Sequence, residues 1–150
     1  MHDFSRRSVI RLAFVAAASP FATWLPATAA ESAPLAIKGY DPVAYFTLGH
    51  PVQGLPEIEF EWDEYRYRFS SAENRELFKV DPVHYAPQFA NFCAMALSKG
   101  EIVEANPENW LISDGKLYVF GKTIGPDLFR QALSANITKA NQNRALIPQP

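Results

Sequence analysis

The clearest hydropathy pattern in the chain runs over residues 58–69. Ile58, Phe60 and Trp62 alternate with Glu57, Glu59 and Glu61; beyond Asp63-Glu64, Tyr65, Tyr67 and Phe69 alternate with Arg66 and Arg68. Period-two alternation on both sides of a two-residue turn predicts a β-hairpin. In that register Trp62 faces Tyr65, Phe60 faces Tyr67 and Ile58 faces Phe69. Glu61 and Glu59 then face Arg66 and Arg68 on the other side. The charges are thereby explained as a matched strand face rather than as paired catalytic carboxylates. Residues 110–113 and 116–120 predict a second hairpin around Asp114-Gly115, a favoured type I′ turn. Upstream, residues 37–46 read as a turn followed by a short aromatic strand, and residues 49–54 as a loop. Helical spacing occurs in three places. Ser70-x-x-Glu73 has capping-box spacing and opens a helix with Leu77, Phe78 and Val80 as its apolar stripe. Asp81-Pro82 stops it, and a short helical turn through Val83, His84 and Tyr85 ends before Pro87. Residues 89–99, alanine-rich with Phe92, Met95 and Leu97, read as a helix followed by Gly100. Pro126 opens a last helix carrying Leu128, Phe129, Ala132, Leu133, Ile137 and Ala140. Strands and helices mix without βαβ alternation, so the expected class is α+β: a small single domain with two β-hairpins, short helices and a C-terminal helix.

Residues 1–30 do not share this patterning. Arg6, Arg7 and Arg11 stand against one acid, Asp3; an apolar stretch over 12–25 is interrupted by Pro20, and Ala27-Thr28-Ala29-Ala30 follow. Basic, apolar and small-residue regions in that order describe a secretory signal peptide. The apolar stretch is shorter than the roughly 20 residues a bilayer span needs, so no stable membrane anchor is expected. Ser5-Arg6-Arg7-Ser8-Val9-Ile10-Arg11 resembles the twin-arginine export signal, with Val9 where phenylalanine is commonest. A general secretory signal that happens to carry two arginines is the alternative. The resemblance implies a bacterial protein handled by the twin-arginine export machinery, cleaved by signal peptidase near Ala29 or Ala30, and periplasmic. Cleavage would take the chain from 14 bases and 16 acids to 11 and 15, moving the net charge from −2 to −4. A weakly acidic domain has no clustered Lys/Arg surface for nucleic acid. Its single cysteine excludes an internal disulfide and a zinc site built from several thiolates. The expected layout is a signal over 1–30, a domain over 31–147 and a frayed tail over 148–150.

Three segments then point to a family. Tyr40-Asp41-Pro42-Val43-Ala44-Tyr45-Phe46, Tyr67-Arg68-Phe69-Ser70-Ser71-Ala72-Glu73-Asn74 and Phe78-x-x-Asp81-Pro82-x-x-Tyr85 resemble a YHS domain. Pro87-Gln88-Phe89-Ala90-Asn91-Phe92-Cys93-Ala94, with Trp110 and Asp114-Gly115-Lys116-Leu117-Tyr118, is similar to the family's exported bacterial branch. The match spans about residues 37–120. It implies a small α+β domain, and some members, found beside heavy-metal transporters, are thought to bind metal. Metal-associated relatives carry cysteines at positions that here hold Ala44, Ser70 and Asn74. A soft-metal site needs thiolate, thioether or imidazole ligands, so the thiolate version of that site is absent.

The soft or titratable candidates that remain are His50, His84, Cys93 and Met95. Cys93, Met95 and His84 form the candidate metal set, since copper as Cu(I) accepts thiolate, thioether and imidazole. In a helix, residues two apart point about 200° from each other, so only an extended or kinked segment would bring Cys93 and Met95 together. Both as core residues of an apolar helix is the plainer reading. A reactive single thiol is a third, favoured by the early position of Cys93 in the expected helix. His50 reads as an exposed loop residue. No Gly-rich phosphate loop, HExxH or GxSxG sequence occurs, so a binding module is expected rather than an enzyme. The aromatic residues Tyr40, Tyr45, Trp62, Tyr65, Tyr67, Tyr85 and Trp110 either build the core or line a small-ligand pocket with Asp41 or Asn91 at its mouth. An accessory role, binding another exported protein through an aromatic face, completes the set of expectations.

Overall fold

The alternating segments pair as their sequence demands. In the computed structural model, which describes residues 32–149, β1 (Leu55–Trp62) and β2 (Tyr65–Phe69) form an antiparallel hairpin. Trp62 pairs with Tyr65, Phe60 with Tyr67, Glu61 with Arg66 and Glu59 with Arg68. Phe69 departs from the expected register. It pairs with Leu55 rather than Ile58, because the ladder is irregular between Leu55 and Glu59. Asp63 and Glu64 turn the chain at φ 48° and 67°, the left-handed region that a type I′ turn requires of both central residues. The second hairpin, β3 (Asn106–Ser113) and β4 (Lys116–Phe120), forms around Asp114-Gly115 as expected. The signal sequence expected over residues 1–30, and Pro150 at the end of the expected tail, lie outside the described residues.

Local chemistry also explains the departures. The strand expected before Phe46 is instead α1 (Ala44–Thr47), following a 3-10 turn at Ala36–Gly39. Asp41 Oδ1 accepts the Val43 N–H at 2.9 Å, and this turn of the Asx type directs the chain into a helix. α2 (Ala72–Val80) is capped by Ser71, whose hydroxyl accepts the Asn74 N–H at 3.1 Å, not by Ser70. Of its expected apolar stripe only Phe78 is buried; Leu77 and Val80 face solvent. α3 (Pro82–Tyr85) follows at once, capped by Asp81. The helix expected over 89–99 is shortened to α4 (Ala94–Ser98), since residues 89–92 form turns with Ala90 at φ 49°. The C-terminal helix is two helices, α5 (Gly125–Gln131) and α6 (Leu133–Gln142), broken at Ala132. Asn136 Nδ2 donates to the Phe129 carbonyl at 3.0 Å and satisfies an acceptor near the break.

The architecture is α+β, with six short helices and two two-stranded antiparallel sheets among the described residues. Two hydrophobic clusters hold it together. The first gathers Ile37, Val43, Tyr45, Tyr67, Phe69 and Phe78 under the first hairpin; the second gathers Phe89, Cys93, Leu97, Phe129 and Ala140 under the C-terminal helices. β4 serves both. Leu117 and Val119 enter the first cluster, and Tyr118 and Phe120 enter the second, so the strand is buried on both faces. No helix among the described residues is long and apolar enough to cross a membrane.

Candidate functional site

Ala44, Ser70 and Asn74 meet at one carboxylate. Asp41 is fully buried, and its Oδ2 accepts from the Ser70 N–H at 2.8 Å, the Ser70 hydroxyl at 2.6 Å and the Asn74 amide at 2.7 Å. Its Oδ1 accepts the Val43 N–H, with the Ala44 N–H further off at 3.4 Å. These donors saturate the carboxylate, and an N–H or O–H aimed at an oxygen leaves no lone pair for a cation. No thiolate, thioether or imidazole joins them, so this cluster does not fit a soft metal. It ties the Asp41 turn to the start of α2 and is structural. Asn91 is likewise engaged, its Oδ1 accepting the Ile37 N–H and its Nδ2 donating to the Leu35 carbonyl. Neither Asp41 nor Asn91 stands at a pocket mouth, which corrects that expectation.

The candidate metal set divides. Cys93 precedes α4 as its N-cap, with extended backbone (φ −66°, ψ 114°), and its N–H donates to the Val103 carbonyl at 2.8 Å. Its Sγ accepts the Ala96 N–H at 3.4 Å. Because Cys93 is extended rather than helical, it and Met95 line the same cavity, of about 300 Å³, with Val103, Gly121, Ile124 and Leu128. Cys93 is only 7% exposed; Met95 is half-buried. His84 does not line that cavity. Its ring is exposed on α3, 4.7 Å from the Phe46 ring and 4.6 Å from that of Tyr85. His50 is exposed, with Nδ1 3.2 Å from the Pro51 carbonyl. Among the described residues, no group of three His, Cys, Asp or Glu side chains is placed to hold a metal ion.

A second cavity, of about 390 Å³, opens where the first hairpin turn meets the segment after α3 and the C-terminal residues. Trp62, Tyr65 and Tyr67 line it, as do Pro87, Phe89 and Arg144. Of the seven aromatic residues expected at a pocket, only these first three reach it. Tyr45 instead donates its hydroxyl to the Pro107 carbonyl inside the core, where burial pushes its phenol up. Burial also pushes the Tyr67 phenol up, and the Asp63 carboxylate and Tyr65 add to the shift. Tyr65 is shifted the same way by burial, then by Glu64 and Asp63. Arg144, which sequence reasoning did not single out, lays its guanidinium 4.9 Å above the Phe89 ring. It donates to the Gln88 carbonyl at 2.8 Å and to Asn141 Oδ1 at 3.1 Å. The partners across this contact are 56 residues apart in sequence, so no local pattern could have announced it.

No protein-family model, curated protein or solved structure matches the chain.

Proposed function

We propose that the chain is an exported bacterial binding module of the YHS type, delivered to the periplasm by its twin-arginine-like signal, and that it holds Cu(I) through Cys93 and Met95. The observation that carries the copper reading is that Cys93, with extended backbone, and Met95 line one small cavity. Thiolate and thioether are the soft donors that Cu(I) prefers. Val103, Ile124 and Leu128 give the cavity an apolar wall. Family likeness adds the prior of metal handling but not the site, since the cluster around Asp41 does not fit. His84 drops out of the ligand set.

Titration of the processed protein with Cu(I) under a competing chelator tests this reading. One equivalent is expected for the wild type, none for Cys93→Ala, a weakened equivalent for Met95→Leu and an unchanged one for His84→Ala. A wild type that takes up no copper, or a Cys93→Ala variant that keeps it, sinks the reading. The Ala96 N–H on Sγ favours a second reading, a single reactive thiol, because a helix-start N–H stabilises thiolate. Alkylation of the native protein separates the two: reaction within minutes at neutral pH supports the reactive thiol, and protection until unfolding rejects it. Export is tested by fractionation. Replacing Arg6 and Arg7 together by lysine should retain the precursor in the cytoplasm.

A further inference from the structure

The cavity beside the first hairpin turn is independent of Cys93 and has a chemistry of its own. Its walls are aromatic: Trp62, Tyr65, Tyr67 and Phe89. Tyr67 is 2% exposed and Tyr65 9%, yet neither hydroxyl has a hydrogen-bond partner among the described residues. Neither hydroxyl is sealed either, since among the described residues the one fully buried side-chain N or O atom without a partner is Arg66 Nε. The two phenols therefore open into the cavity with unused hydrogen-bonding capacity, an arrangement a buried tyrosine normally avoids.

The charges are arranged unevenly. Asp63 and Glu64 line the same cavity, and neither carboxylate makes an ion pair or hydrogen bond among the described residues. Both act electrostatically on the Tyr65 phenol, and Asp63 on that of Tyr67, so negative potential is concentrated at the open hydroxyls. Arg144 is the one cation in the lining, and it is committed elsewhere: over Phe89, to the Gln88 carbonyl and to Asn141. Its charge partly offsets the burial that pushes the Tyr118 phenol up. An anion reaching the hydroxyls would sit against two carboxylates.

We propose that this cavity binds a small organic cation, an ammonium group carried on an apolar or aromatic body. The ammonium would lie among Tyr65, Tyr67, Asp63 and Glu64, donating N–H bonds to the open phenol oxygens and facing aromatic ring faces, whose negative potential favours cations. The body would lie toward Phe89 and Pro87. A volume of about 390 Å³ is at the small end of ligand sites, which run from about 300 to 1,000 Å³.

Calorimetric titration of the processed protein with phenethylammonium, tetramethylammonium and phenylpropionate tests the proposal. Phenethylammonium should bind saturably, and phenylpropionate, similar in size but anionic, should neither bind nor compete. The Asp63→Asn, Glu64→Gln double variant, altered only at exposed turn residues, should bind at least tenfold more weakly. Tyr67→Phe keeps the ring packing and should weaken binding several-fold, whereas Arg144→Gln should leave it unchanged or tighter. Saturation by phenylpropionate that Arg144→Gln abolishes would overturn the assignment. So would the absence of saturable binding by phenethylammonium, binding of tetramethylammonium (which has no N–H to donate) as tight as that of phenethylammonium, or cation binding that survives both the double variant and Tyr67→Phe. Cys93→Ala should leave this binding intact, which keeps the result separate from the copper titration.

Discussion

Asp41 and Glu59 show how differently two carboxylates can be used in one small domain. Asp41 is buried and joins the segment entering α1 to the start of α2 through the Val43 N–H, the Ser70 N–H and the Asn74 side-chain amide. Asp41→Ala would leave those donors without a partner inside the protein, at about 1–3 kcal/mol for each one buried. A loss of about 3 kcal/mol or more in denaturant stability is therefore expected, with the slope of the transition unchanged. Glu59 is half-exposed and accepts from Arg68 Nε at 2.8 Å and from Arg66 Nη1 at 3.2 Å. The Arg68 hydrogen bond, more than the charge of Arg66, holds its carboxyl below the usual carboxylate range. A lowered folded-state pKa stabilises the protein above the unfolded value near 4.3, and that contribution fades as pH falls through the lower folded value. Glu59→Gln should flatten the acid limb of stability against pH and cost about 0.2–1 kcal/mol at neutral pH. The pairing of Glu59 with Arg68 was legible in the alternating charges. The role of Ser70 was not: its hydroxyl is drawn to a carboxylate 29 residues away, which moves the helix cap to Ser71.

Elements formed where the sequence carried their own local reasons and shifted where a distant partner intervened. Both hairpins follow from alternation and turn chemistry alone. The aromatic segment before Phe46 has strand composition but becomes α1, because the Asp41 side chain captures the next N–H groups. The alanine-rich segment before Gly100 has helical composition, yet its first half is pulled into turns. Cys93 and Ala105 donate across to Val103 and Asn91 carbonyls there, bonds no helix could make. α2 depends on a single buried side chain. Phe78 packs on Phe60, Trp62, Tyr67 and Phe69, with ring centroids 4.7–6.3 Å away. Phe78→Ala should cost about 3–5 kcal/mol by denaturant melt, whereas Val80→Ala, at 86% exposure, should cost next to nothing. Gly54 fixes how closely the hairpin edge approaches. A Cβ there would lie 2.5 Å from the Arg68 carbonyl carbon, which is backbone and cannot swing aside. Gly54→Ala is expected to destabilise by about 1–3 kcal/mol through overpacking.

At the scale of the whole molecule, the α+β class was readable from element order, but the division into two clusters was not. Only the folded chain shows Leu117 and Val119 facing one core while Tyr118 and Phe120 face another. A shared strand predicts shared fate. Thermal loss of the signal from Trp62 and Trp110, in the first cluster, should coincide with exposure of the Cys93 thiol, in the second. Two separate midpoints would show that the clusters melt independently. The same strand bears on how the chain comes off the ribosome. The face bearing Tyr118 and Phe120 is covered by Phe129, Leu133, Ile137 and Ala140, all downstream of it in the chain. Until those late residues emerge, β4 has one side bare, although every residue of the first cluster is already present. A chain stopped after Phe120 should accordingly expand and aggregate on size-exclusion chromatography. The core on that face of β4 therefore closes only once residues 129–140 have left the ribosome, so the order in which the elements are made is not the order in which they become stable.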